Sequence, residues 1–269
     1  MNEVYVDLAR MMRKEEPFNR GSVHAQKITD ESMYMKELLH ITLCFKIHRT
    51  PHELAEALQP NLPWAEDHFQ ERISGEPLNP PPSNEWWPYA QSGNAVHKKD
   101  EKFSHTYPER FYPRWAGMES RNPADTRQGI RFYYGDLSDL IQILSKDARS
   151  RQAYLPVWFP EDLNAANAGE RVPCTLGYHF LMNPKTLQLD CTYYMRSCDM
   201  VRFMRDDIYM AGRLLQFVGR ETGIDPGNLV VHIANLHTFA GDDHFLGDFI
   251  ATHEPKELKK QAYNFGAMF

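Results

Sequence analysis

The chain has 269 residues, enough to bury a sizeable core in one large domain or two small ones. Apolar residues make up 42% and charged residues 25%, and 30 Lys and Arg against 36 Asp and Glu leave a formal charge of −6. That balance argues against a nucleic-acid-coating role and leaves room only for a local arginine cluster around a small phosphorylated ligand.

In chain order, residues 2–13 and 29–47 predict helices, the second from Met33, Leu38, Leu39 and Leu43 at three-to-four spacing. Thr50, Pro51 and Glu53 predict a capped helix start that runs to Leu58. From Gln59 to Pro123 the prolines crowd together around Trp86 and Trp87, which predicts an irregular, insertion-like segment. Gly135 to Ala148 predicts a helix. Tyr154–Phe159, Cys174–Met182, Leu187–Arg196 and Leu229–Phe239 predict strands rich in aromatic and branched residues. Between the last two strands, Met204 to Gly219 predicts a helix that Gly223 ends. Strands and helices mix without strict alternation, so the expected class is α+β in a single domain. No apolar run approaches the ~18–20 residues of a membrane helix, and Met1 to Arg13 lacks a secretory core. The four cysteines (Cys44, Cys174, Cys191 and Cys198) form no CxxC pair, which points to a reduced, cytoplasmic setting. No HExxH motif occurs, and no metal site is expected.

Several residues carry chemistry. Cys174 follows a proline at a strand start, where a thiolate would need nearby positive charge; the competing reading is a small buried hydrophobe. Arg196, Ser197 and Asp199 end a strand together. An arginine beside a hydroxyl suits a phosphate, although a surface ion pair in a turn is the plainer reading. Arg149 and Arg151 form a second basic cluster at a helix end. Glu37 on an apolar helix would have a raised pKa, unless it simply faces water. Asp206 and Asp207 open a helix, where carboxylates normally act as caps. His237 ends an apolar strand and is also compatible with a hydrogen-bonded core histidine.

Taken in order, these signals resemble the thymidylate synthase family. Ser150-Arg151-Gln152 is similar to its Ser-Arg-Arg, Pro173-Cys174 to its Pro-Cys, and Arg196-Ser197-Cys198-Asp199 to its Arg-Ser-x-Asp. A helix start, a Pro-Gly turn and His237 follow at the family's spacing. Glu37-Leu38-Leu39 resembles the helix carrying the family's glutamate, and Tyr107 a tyrosine lining its site. The resemblance covers roughly the last half of the chain and implies a mixed sheet with flanking helices. It also implies a homodimer with shared active sites, no nucleic-acid partner and no membrane partner. It further implies 5,10-methylenetetrahydrofolate as co-substrate and no metal. Cys174 would add to C6 of a pyrimidine nucleotide and Glu37 would shuttle protons through water. Arg196, Ser197 and Arg20 would hold the phosphate, with Arg151 reaching into the partner's site. His237 would hold the sugar, Tyr107 would line the substrate, and Asp199 with Trp86 or Trp87 would face the folate.

The departures from the family pattern matter most. Asp207 stands where thymidylate synthases carry an asparagine that reads the pyrimidine edge. A protonated aspartate donates to N3 and accepts from a 4-amino group, the pattern of cytosine. This aspartate, with Cys174-Thr175 in place of Cys-His, resembles the phage deoxycytidylate hydroxymethylase branch. The resemblance implies dCMP converted to 5-hydroxymethyl-dCMP; C5-methylation of dCMP, CMP or dUMP and hydroxymethylation of CMP are the alternatives. Gln152 replaces the second arginine of the family's pair. Phe239 replaces a tyrosine that assists the histidine at the sugar.

Overall fold

A computed structural model describes residues 2–23, 26–90, 98–99, 101–113 and 135–253. The described helices are α1 (Asn2–Lys14), α2 (Pro51–Leu58), α3 (Trp64–Ile73), α4 (Tyr107–Phe111), α5 (Leu137–Lys146), α6 (Asp162–Asn167), α7 (Met204–Thr222) and α8 (Asp243–His253). The short strands β1 (Ser22–Val23) and β2 (Gln26–Lys27) pair with each other, as do β4 (Lys98–Lys99) and β5 (Lys102–Phe103). The main sheet has six strands: β3 (Met35–Lys46), β6 (Tyr154–Pro156), β7 (Thr175–Met182), β8 (Leu189–Met195), β9 (Cys198–Asp199) and β10 (Pro226–Phe239). Their order is β3-β10-β8-β7-β6, with β9 added against β10.

The expected α+β class and mixed sheet are present. β10 runs parallel to β8 and β9 and antiparallel to β3. Burial alternates strictly along β8, where Leu189, Cys191, Tyr193 and Met195 face the core. This is the two-residue period of a sheet covered on one face. On that face the Tyr178 and Tyr193 rings stack at 4.6 Å, and α7 lays down Ile208, Ala211, Leu215 and Val218. The other face is half open. Tyr154, Leu176, His179 and Tyr194 line a shallow hollow there.

The helix expected over 29–47 is a correction. The chain instead forms a short 3-10 turn (Glu31–Met33) and then β3. Branched and aromatic residues at Ile41, Thr42 and Phe45 suit a strand, and the ladder to β10 pairs eleven positions, Met35 to Lys46. Tertiary pairing outweighs the helical spacing of four apolar residues. The segment 59–123 is also more regular than expected, since it contains α3 and α4. Asp136 caps α5 by accepting from Asp139 N, and Gly223 ends α7 in the left-handed region at φ 73°. Among the described residues no helix is long and apolar enough to cross a membrane.

Candidate active site

Strand directions gather the chemistry at one end of the sheet. β8 and β10 run parallel toward it, so Arg196 and Ser197 just after β8 lie beside His237 near the end of β10. β7 runs antiparallel to β8 with Thr175 opposite Met195, which brings Cys174 to the same end.

Arg196 binds the cysteine segment closely. Its N–H donates to the Cys174 carbonyl at 2.9 Å, Nε to the Pro173 carbonyl at 2.7 Å and Nη2 to the Val172 carbonyl at 2.9 Å. Nη2 also lies 3.9 Å from Cys174 Sγ. Burial pushes the Cys174 thiol up, while the charges of Arg196 and Arg171 pull it down. An anion or a substrate phosphate near the two guanidiniums would alter that balance. Arg171 was not anticipated; it lies three residues before Cys174, and its own basicity is lowered by burial and by Arg196.

Thr175 Oγ1 donates to Tyr107 Oη at 3.1 Å and bonds Tyr193 Oη at 2.9 Å, so Tyr107 is held beside the cysteine. On the β10 side, His237 Nδ1 lies 3.1 Å from Asn235 Oδ1 and 3.3 Å from Ser197 Oγ. These bonds fix the ring's orientation.

The two acids that open α7 have separate jobs. Asp206 accepts from Asn61 N at 2.7 Å and from Asn61 Nδ2 at 2.8 Å, which ties α7 to the residues before α3. Asp207 instead sits with Cys198 Sγ 3.9 Å from its Oδ2. Burial pushes the Asp207 carboxyl up to about 7; Arg72 opposes the shift, and Asp206 and Asp199 add to it. Asp207 also acts electrostatically on Cys174 and Tyr107. Asp199 accepts from Val201 N and Arg202 N, both at 3.0 Å, and burial raises it to about 6. Next to it Trp87 stacks on Phe203 with centroids 6.0 Å apart, and Tyr89 meets Phe203 edge-on. Trp87 Nε1 is buried with no hydrogen-bond partner.

Three further predicted site residues have partners of their own. Glu37 is on β3 rather than on a helix, opposite His237 in the ladder, and both its oxygens receive the Arg20 guanidinium. Arg20 therefore meets a carboxylate here. Arg151 is exposed, and its carbonyl is 3.0 Å from His179 Nε2 on the half-open sheet face.

Arg72 on α3 is a further residue that sequence reading missed. It is 3% exposed and its Cζ lies 4.1 Å from the Tyr107 ring centroid. The signal was present: Ala65, His68, Phe69 and Arg72 recur at helical spacing, and all four are buried. The prolines that follow hid it. No group of His, Cys, Asp and Glu among the described residues is arranged to hold a metal.

Residues 101–260 match the family model described as thymidylate synthase. The chain is 22% identical over 163 residues to the thymidylate synthase of Rhodopseudomonas palustris (strain BisA53), covering 57% of this chain and 52% of that protein. It is 24% identical over 129 residues to a bifunctional dihydrofolate reductase-thymidylate synthase of Leishmania amazonensis, covering 48% and 23%. Over 104 residues it is 28% identical to the thymidylate synthase of Listeria monocytogenes serovar 1/2a, covering 38% and 31%. The chain thus spans about half or less of the length of these relatives. With more than half of its residues inside the family match and its Pro-Cys and Arg-Ser-x-Asp segments joined at one sheet end, the chain belongs to the thymidylate synthase family.

Proposed function

We propose that the protein transfers a one-carbon unit to C5 of a pyrimidine nucleoside monophosphate, that the nucleotide is a cytidylate, and that the product is its 5-hydroxymethyl derivative. The observation that carries the choice of base is Asp207, a half-buried carboxyl that burial raises to about 7 and whose charge acts on Cys174. Near neutral pH it holds a proton part of the time, and so can donate to N3 while accepting from the 4-amino group. Asp206 is taken up by Asn61 and leaves this role to Asp207.

In this reading Cys174 attacks C6, with Arg196 and Arg171 favouring its thiolate. Arg196 and Ser197 receive the 5′-phosphate, and His237, steadied by Asn235, receives the sugar hydroxyl. Glu37 acts by positioning Arg20 for the phosphate rather than as a proton shuttle, because Arg20 engages both its oxygens. Methylenetetrahydrofolate would supply, when bound, a one-carbon unit at the oxidation level of formaldehyde. The residues fit it: Asp199 offers a carboxyl, the Trp87–Phe203 pair an aromatic wall, and Trp87 Nε1 a buried donor that lacks a partner. Tyr107 closes the side of the site nearest Thr175. The C5 proton passes to water, a second water adds to the new C5 carbon as the folate nitrogen leaves, and departure of the Cys174 sulfur restores the aromatic ring.

We also assign the active form to a homodimer. The half-open sheet face exposes Leu39 and the hollow around Tyr154, Leu176, His179 and Tyr194, and Arg151 lies on that side. Two copies packed there would cover apolar surface and let each Arg151 reach its partner's site. Light scattering at micromolar concentration checks the mass. Recovery of activity on mixing Cys174→Ser and Arg151→Ala proteins checks the sharing, and a fully active monomer sinks it.

The deciding experiment incubates the protein with methylenetetrahydrofolate and dCMP, CMP or dUMP, and weighs the products. Gain of CH2O on a cytidylate supports the proposal, and gain of CH2 on dUMP refutes it. That second reading, C5-methylation of dUMP, is favoured by one observation: an ionised Asp207 near the Arg72 cation would accept N3–H of uracil.

A further inference from the structure

The buried guanidinium of Arg72 has no assigned task. It packs on Tyr107 with its Cζ 4.1 Å from the ring centroid. It is almost wholly shielded from water, and its Nε is buried with no hydrogen-bond partner. Among the described residues no carboxylate lies within ion-pair reach of it. A cation held in this way is costly unless the site uses its charge.

We propose that Arg72 is a positioning residue that acts through Asp207, as the fixed counter-cation for the carboxylate that Asp207 becomes when it gives its proton to N3 of the bound base. The inference rests on the reading of Asp207 as the group that meets the base. As the Cys174 sulfur bonds to C6, the C5=C6 electron pair moves to C4–C5. The C4=N3 pair moves to N3, which takes the proton from Asp207. The negative charge lost by the thiolate reappears on Asp207, and Arg72 is the cation placed to stabilise it there. When the sulfur leaves, the proton returns to Asp207. Arg72 itself gives up no proton, because a guanidinium stays charged throughout.

The other groups around Asp207 do not substitute for Arg72. On its own helix Asp206 is bonded to Asn61 and adds negative charge. From the β9 side Cys198 and Asp199 face it, and neither brings a positive charge. From α4, β7 and β8 come Tyr107, Tyr178 and Tyr193, each of which responds to the Asp207 charge and is neutral near pH 7. Cys174 is the reacting thiol. On α3, His68 lies one turn before Arg72, but burial and the Arg72 charge push it down to about 4, so it too stays neutral. The absence of a direct ion pair between Arg72 and Asp207 is what lets the acid keep its proton until substrate takes it.

The test is direct titration of Asp207 in the intact protein by infrared difference spectroscopy, with the Asp207→Asn variant assigning the protonated carboxyl band. The native band should fade near neutral pH. In Arg72→Gln, which keeps donors and removes charge, the midpoint should move alkaline by about one pH unit or more. In Arg72→Lys it should return most of the way. The alkaline limb of tritium release from [5-3H]dCMP should move with it. A midpoint in Arg72→Gln that matches the native one overturns the proposal, as does one that Lys fails to restore while circular dichroism shows a native fold. Should Arg72→Gln fail to fold, Arg72→Lys and Tyr107→Phe decide. Tyr107→Phe leaves the charge in place and should leave the midpoint within about half a unit of native, and a larger move would assign the effect to packing. A native protein with the expected coupling but no tritium release would refute the cytidylate reading and leave the coupling intact. Turnover with uncoupled midpoints would do the reverse.

Discussion

Replacing Asp207 with Asn should stabilise the free protein, and should do so more at alkaline pH. The folded carboxyl ionises at about 7 instead of the ordinary 3.8, chiefly because burial disfavours the charge. Its folded pKa is raised, so the unfolded chain releases the proton first. The stability cost is absent below the unfolded value, grows as pH rises from 3.8, and levels off above about 7. By linkage it is about 2 kcal/mol at pH ~5.5 and about 4 kcal/mol at pH ~8. Asparagine keeps the shape and cannot ionise. The gap between variant and native stability should therefore widen by about 2 kcal/mol between those two pH values. Asp199, raised to about 6, adds its own alkaline loss, but it is present in both proteins and largely cancels in the difference. Urea unfolding of both proteins at the two pH values measures the gap. A gap that stays constant with pH would mean that Asp207 is ionised across the range, and would remove the physical basis for the proposed choice of cytosine.

Four other outcomes follow from the geometry. Cys174→Ser should lower tritium release from C5 of dCMP by at least about a thousandfold with an unchanged fold, and persistent exchange would exclude a covalent sulfur. Arg196→Lys cannot reproduce the bonds to the Val172 and Pro173 carbonyls. It should lose about 1–3 kcal/mol in urea unfolding and raise KM for the nucleotide. Asp162→Ala strands Arg110, whose two Nη atoms each donate to Asp162 at 2.8 Å inside the core. A loss of about 3–5 kcal/mol is expected, read as a lower denaturation midpoint. Gly177→Ala would push a Cβ against the Tyr154 ring and to 2.7 Å from the Leu155 carbonyl, so the β6–β7 edge should loosen by about 1–3 kcal/mol.

The second half of the chain was largely legible, because its signals are local. Alternation in Leu189–Met195 marks a one-sided strand, Gly223 marks a helix end, and Cys174, Arg196, Ser197 and His237 lie at strand termini that the sheet then draws together. Asp207 stood out by its chemistry, although only the fold separates it from Asp206. The first half misled for a physical reason. Leu38, Leu39 and Leu43 satisfy a helical spacing and a strand equally, and the partner that settles the matter, β10, lies almost two hundred residues later. Glu37 moved with that strand, from an expected helix to a ladder position opposite His237, where it meets Arg20. Arg72 escaped notice because burying an arginine on an amphipathic helix looks unfavourable until the Tyr107 ring, which its guanidinium covers, is seen beside it.

β10 also sets how much of the site can adapt. It is one unbroken run of 14 residues, roughly 45 Å of stiff backbone gripped by β3 along one side and by β8 and β9 along the other. Asn235 and His237 ride on this beam and cannot shift without dragging the whole ladder. Any tightening around a guest molecule therefore has to come from the loops and helices that face the beam, which makes the His237 end the anchor and the Trp87 end the adjustable jaw.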